Sequence, residues 1–83
     1  MEVARAQCHQ LARSARHFAA AAALRTGQAE AARRMAAAAV EEDHFDETAH
    51  RLLMSAHQAA GEPSKAVAAY QRLRAELGVE PAP

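Results

Sequence analysis

Two glycines, Gly27 and Gly61, stand 34 residues apart, and each closes a long run of strong helix formers. Ala, Leu, Arg, Gln and Glu dominate those runs, and all five favour helix. Val and Thr are the only β-branched residues, and no segment alternates with the period-two pattern of a strand. Helix is therefore the only element the chain supports. The breakers divide it into four. Helix one is predicted from about Glu2 to Leu24 or Arg25, with Gly27 in the left-handed position that follows a helix end. Helix two runs from about Gln28 to Glu41 or Glu42. After the short Asp43–Asp46 connection, Asp46 suits an N-cap and Glu47 the positive end of the helix dipole. Helix three then runs to about Ala60. Pro63 suits the first turn of helix four, where its missing N–H costs nothing. That helix runs to about Leu77 and stops at Gly78.

The 34-residue interval resembles that of the tetratricopeptide repeat, a pair of antiparallel helices stacked on the next pair. Placing each glycine at the turn inside a pair sets one domain over residues 1–80, with repeats at about 13–46 and 47–80. Residues 79–83 form an extended tail, because proline disfavours helix for itself and its predecessor. The fold class is all-α, a tetratricopeptide-like stack of two antiparallel helical hairpins. Small residues are needed where paired helices touch. Ala20 and Ala32 serve in repeat one, and Ala66 serves against the larger Met54 in repeat two. Tyr70 and Leu73 supply apolar filler a turn later. Their counterparts in repeat one are Ala36 and Ala39, so the first repeat is thinly packed.

Composition limits what such a stack can do. Alanine makes up about 30% of the chain, so the apolar fraction overstates the core. The larger apolar side chains are few, among them Leu11, Phe18, Leu24, Met35, Val40, Phe45, Leu53, Val67 and Leu77. An isolated 83-residue chain of this kind is expected to be of low stability unless it dimerises or packs on a neighbouring domain. Net charge is zero, but residues 1–40 carry an excess of four positive charges and residues 41–83 an excess of four negative. The asymmetry could orient two copies head to tail, or it could reflect solvated helix faces alone. Nothing here is basic enough to argue for nucleic-acid binding. The single cysteine, Cys8, excludes an internal disulfide. No run reaches membrane-span length and no signal-peptide pattern opens the chain, so a cytoplasmic setting is expected.

The second half is more specific. Asp46 is followed by His50-Arg51 and then Leu53-Met54. Ala56 leads to Ala59-Ala60-Gly61. Ala66, Tyr70 and Leu73-Arg74 follow at helical spacing, and Glu76-Leu77-Gly78-Val79-Glu80-Pro81 precedes Pro83. These residues resemble the bacterial transcriptional activator domain, the helical module of streptomycete antibiotic regulatory proteins and related regulators. Residues 1–45 match only generically, as an Ala/Arg-rich helical hairpin. Family members usually carry about one more helical turn before Glu-Leu-Gly, so helix four is short here. They also place a winged-helix DNA-binding domain ahead of the module, and this sequence has none. The resemblance implies a regulatory module that acts through protein contacts, by self-association or by docking on an adjacent domain of a regulator. It implies no enzyme activity, no cofactor and no direct contact with DNA or membrane. The alternative, from another class, is a stand-alone helical adaptor for an enzyme or sensor.

Side chains that could carry chemistry are scattered. Cys8 and His9 are neighbours and diverge on a helix. His50 and His57 are two turns apart, and His17 and His44 lack partners at helical spacing, so no zinc site is expected. In the family match, His50 and His57 resemble packing and hydrogen-bonding residues. No nucleophile–base–orienter set exists. Glu41-Glu42-Asp43 with Asp46-Glu47 matches no calcium loop and suits a solvated helix end and cap. The sharper possibility is a groove. The first helix of each tetratricopeptide repeat lines the concave side. The register puts Ser14, His17, Ala21, Leu24 and Arg25 there, then Thr48, Arg51, Ser55, Gln58 and Ala59. The expected partner-binding residues are His17, Arg25, Thr48, Arg51, Ser55 and Gln58, with Arg25 and Arg51 able to meet a peptide carboxylate.

Overall fold

The computed structural model describes residues 2–78, which form four helices: α1 (Glu2–Arg25), α2 (Ala29–Glu42), α3 (Glu47–Ala59) and α4 (Pro63–Glu76). No strand occurs among the described residues, as the composition requires. The boundaries lie within a residue or so of those read from the breakers. The predicted tail over 79–83 and the end of repeat two fall outside the described residues.

The repeat is written into the backbone of the two hairpin turns. Gly27 and Gly61 both take φ of +76°, a left-handed conformation that costs a side-chain-bearing residue dearly. At the first turn Gln28 N–H donates to the Ala23 carbonyl at 2.8 Å, and Gly27 N–H to Leu24 at 3.2 Å. At the second, Glu62 N–H donates to His57 at 2.9 Å, and Gly61 N–H to Gln58 at 3.0 Å. Every donor and acceptor in the second turn stands 34 positions after its counterpart in the first. This paired bonding satisfies carbonyls that a helix end otherwise leaves bare.

α3 packs on both α1 and α2, and α4 packs on α3. The core between them is made of alanine. Ala20, Ala32, Ala36, Ala49 and Ala56 are at most 1% exposed. Methyl side chains let helix axes approach to the short end of the usual 8–10 Å range. Two clusters result. Ala23, Ala32 and Ala56 join α1, α2 and α3, flanked by Leu24. Ala36, Ala39 and Val40 of α2 meet Ala49 and Leu53 of α3 and Ala69 of α4, flanked by Leu52 and Met54. Ala20, Ala32 and Ala66, expected at close contacts between helices, are all buried.

The larger apolar residues are distributed otherwise than expected. Val40, Leu53 and Leu73 are buried, but Leu11, Phe18, Met35, Phe45, Val67, Tyr70 and Leu77 are exposed. Tyr70, read as filler beside Leu73, lies 47% exposed with the Arg74 guanidinium 5.7 Å from its ring centre. The physical reason is position in the stack. Its counterpart Ala36 sits in α2, where α3 covers it, whereas α4 has no described helix beyond it.

Candidate functional site

One face of α1 carries Arg13, Arg16, His17, Ala20 and Ala23 at helical spacing. Its basic half meets the acidic α2–α3 connection. Arg13 pairs with Asp43 at 3.2 Å, and Arg16 pairs with Glu42. His17 Nε2 lies 2.6 Å from Asp46 Oδ2. The uneven charge of the two halves is thus matched within one chain. A polar cleft of about 320 Å³ opens beside these pairs, lined also by His9 and Ala39.

Asp46 is the pivot of this arrangement and is itself buried. Its Oδ1 accepts the Ala49 N–H at 3.1 Å, which caps α3, while Oδ2 faces His17. One carboxylate therefore starts α3 and ties it to α1. His50 fixes the same connection from the other side. It is fully buried, and its Nε2–H donates to the His44 carbonyl at 2.8 Å, since a carbonyl can only accept. Its Nδ1 has no partner, and neither does Nδ1 of the half-buried His57. The packing and hydrogen-bonding role implied for His50 fits this geometry.

Beyond the clamp, α1 and α3 enclose a shallow groove of about 360 Å³ lined by Ser14, His17, Phe18, Ala21, Thr48 and Leu52. Of the six residues expected to bind a partner, His17 and Thr48 line it. Arg25, Arg51, Ser55 and Gln58 are exposed along the same two helices. His17 turns its ring nitrogen to Asp46, away from any incoming partner. Arg25 stacks over the Phe18 ring at 5.8 Å, and Arg51 donates to Glu47 at 3.0 Å. Both arginines are occupied within the chain, so a peptide carboxylate would have to displace Glu47 or pull Arg25 from its ring. Leu24 packs against the Ala23–Ala32–Ala56 cluster and is drawn out of the groove. Gln58 lies in a second groove, between α3 and α4, with Met54, Pro63, Ala66, Val67 and Tyr70. The sequence reading missed Phe18 and Leu52 as groove walls and Asp46 as a clamp. The signal available was a basic cluster at 13, 16 and 17 on one face of α1 and an acidic cluster at 42, 43 and 46.

The groups with shifted titration lie at the hairpin turns instead. The Arg33 hydrogen bond holds Glu30 below the ordinary carboxylate range, and Glu30 in turn raises Arg33. The Lys65 hydrogen bond lowers Glu62 in the same way. Both are ion pairs on the surface, Glu30 with Arg33 and Glu62 with Lys65. No group of three or more His, Cys, Asp or Glu among the described residues is placed to hold a metal ion. No described helix is long and apolar enough to cross a membrane. What the surface offers chemically is a pair of apolar grooves with polar rims, suited to receiving a helix or an extended segment.

Neither the curated proteins nor the solved structures compared with the chain contain a match. The profile of one family, the bacterial transcriptional activator domain, matches residues 1–83. That span is the whole chain, including the alanine-rich first hairpin, whose residues resemble the family only generically. The family is one of regulatory domains and not of enzymes. With its two stacked hairpins and its whole length matched, the chain belongs to the bacterial transcriptional activator domain family.

Proposed function

We propose that this domain is the protein-contact module of a bacterial transcription regulator and works without touching DNA itself. The observation that carries the reading is the family match over the whole chain. The surface supports it. Exposed Leu11, Phe18 and Phe45 are each about 70% open to solvent in a chain whose core is mostly methyl groups. On this reading His17, Arg25, Thr48, Arg51, Ser55 and Gln58, three of which line the grooves, would face an adjacent domain of a regulator. In that role the domain works in the cytoplasm, holding subunits together or relaying the state of one domain to another.

DNA titration of the isolated chain at low salt tests this. Weak binding that any duplex satisfies and that vanishes with added salt is the expected result. Sequence-specific binding to one duplex overturns the reading.

A further inference from the structure

α1 is fastened to the rest of the chain in two unlike ways. From Ala20 onward it is held by packing: Ala20 and Ala23 are buried, and Ala23 closes on Ala32 and Ala56. From Ala4 to Ala19 no side chain of α1 is buried. What this arm presents to the α2–α3 connection is three bases, Arg13, Arg16 and His17, paired with Asp43, Glu42 and Asp46. Both arginine pairs are partly exposed, and ion pairs of that kind hold little in water. The third pair is different. Asp46 is buried, His17 is half-buried, and Nε2 lies 2.6 Å from Oδ2. The best-shielded tie on the arm is thus one whose positive charge is an imidazole proton.

The pair also stands between two cavities. Asp46 lines the polar cleft, and His17 lines the apolar groove between α1 and α3. Few other charges act on the ring. On its own helix are Arg13 and Arg16, each already held by an acid, and His9 lines the cleft beside them. On α3, Glu47 is turned to Arg51, and the His50 ring is turned to the His44 carbonyl. α4 does not pack on α1. Among the described residues, Asp46 is the one acid within hydrogen-bond reach of the His17 ring.

We infer that the His17–Asp46 pair is a pH-dependent latch on the Ala4–Ala19 arm of α1. With the ring protonated, an imidazolium sits on a carboxylate and the arm lies on the connection. When the ring gives up its proton, Nε2–H still donates to Asp46, but the attraction between unlike charges is gone. Histidine ordinarily changes charge between about pH 5 and 8. The tie is therefore fullest at the acid end of that window and weakens as pH rises through it. The arm then opens about the Ala20 and Ala23 contacts. A released helix of this length has no partner to pack on and is marginal in water, so it frays. Its release widens the groove that Phe18 and Leu52 wall. What the motion does for a partner rests on the protein-contact reading, whereas the motion itself belongs to this chain and is measured without a partner.

Amide hydrogen exchange, read by NMR on the full chain between about pH 5.5 and 8, tests this. The protection of Arg13–Phe18 amides is divided by that of Ala36 and Ala39 in α2. The ratio cancels the intrinsic pH dependence of exchange and any change in global stability. It should fall about tenfold from the lower pH to the higher, the difference between a doubly and a singly charged hydrogen bond. Its midpoint should coincide with that of the His17 ring resonances. His17→Gln keeps an N–H for Asp46 but carries no charge. Its ratio should be flat, and at the lower pH already near the wild-type value at the higher. Unchanged protection of α2 checks that this variant is folded. A flat ratio in the wild-type chain overturns the inference. So does a fall that His17→Gln retains, which assigns the switch to another group. An arm that exchanges only when α2 does, at both pH values, overturns it as well. None of these results bears on the DNA titration, which judges the protein-contact reading separately.

Discussion

Asp46 shows how one side chain can hold two elements. It caps α3 through Ala49 N–H and meets His17 of α1 with its other oxygen. Asp46→Ala should therefore cost more than an ordinary N-cap. The cap alone accounts for about 1 kcal/mol, and the lost hydrogen bond to His17 adds about 1 kcal/mol more. Asp46→Asn keeps an oxygen for Ala49 and should cost less than Asp46→Ala. Urea unfolding of the two variants would show the ordering, and equal costs would mean that the cap to Ala49 contributes nothing. The alanine core makes an opposite kind of prediction. Ala32 and Ala56 face each other with no exposed surface. Ala56→Leu has no space to enter, and overpacking there should destabilise the chain by about 1–3 kcal/mol despite the added apolar area. Denaturant midpoints falling below the parent's would bear this out.

The hairpin turns are the elements that define the repeat. A Cβ on Gly27 or Gly61 would meet nothing within 4 Å, so a substitution there is penalised by conformation and not by collision. Both glycines have the same φ. Gly27→Ala and Gly61→Ala should therefore cost the same, about 1–2 kcal/mol. A clear difference in thermal midpoint between them would show that the two turns are not equivalent. The same ends of the hairpins carry the shifted carboxylates. Hydrogen bonds from Arg33 and Lys65 lower Glu30 and Glu62 respectively. A carboxyl lowered in the folded state adds stability above its unfolded pKa and loses it as pH falls through the folded one. Stability should thus decline on acidification. Glu62→Gln should flatten that decline slightly, because the pair is exposed and screened. An unchanged pH profile of the unfolding midpoint would count against the contribution.

For the whole molecule, the shortage of large buried groups sets the stability. Among the described residues, His50 and Val40 are the only larger side chains completely enclosed. The contact between α1 and the α2–α3 connection relies on Arg13–Asp43 and Arg16–Glu42, both partly exposed. Such pairs weaken with added salt. The thermal midpoint of the isolated chain should lie below about 80 °C, the usual range for mesophilic domains being lower still. It should also rise with protein concentration, since association favours the folded state by mass action. A melt above that temperature, independent of concentration, would show that the alanine core suffices alone.

The number of helices, their limits, the hairpin turns and the Asp46 cap were all decided locally, by propensity, glycine and a side chain three residues from its partner. For that reason they were legible in the sequence. The 34-residue offset added a register, and the Asp46–Pro83 segment indicated the family. Which apolar residues are buried was not local. Ala36 and Tyr70 hold the same place in their repeats, yet Ala36 is enclosed and Tyr70 is exposed, because α3 covers α2 and no described helix covers α4. The candidate groove divides in the same way. The register predicted the faces of α1 and α3 that border it. It did not reveal that His17 turns to Asp46, that Arg51 is held by Glu47, or that Phe18 and Leu52 form the walls. By itself the sequence determined a repeated helical hairpin. The tertiary stack decided which faces of it remain open, because burial depends on what lies across a helix and not on what lies along it.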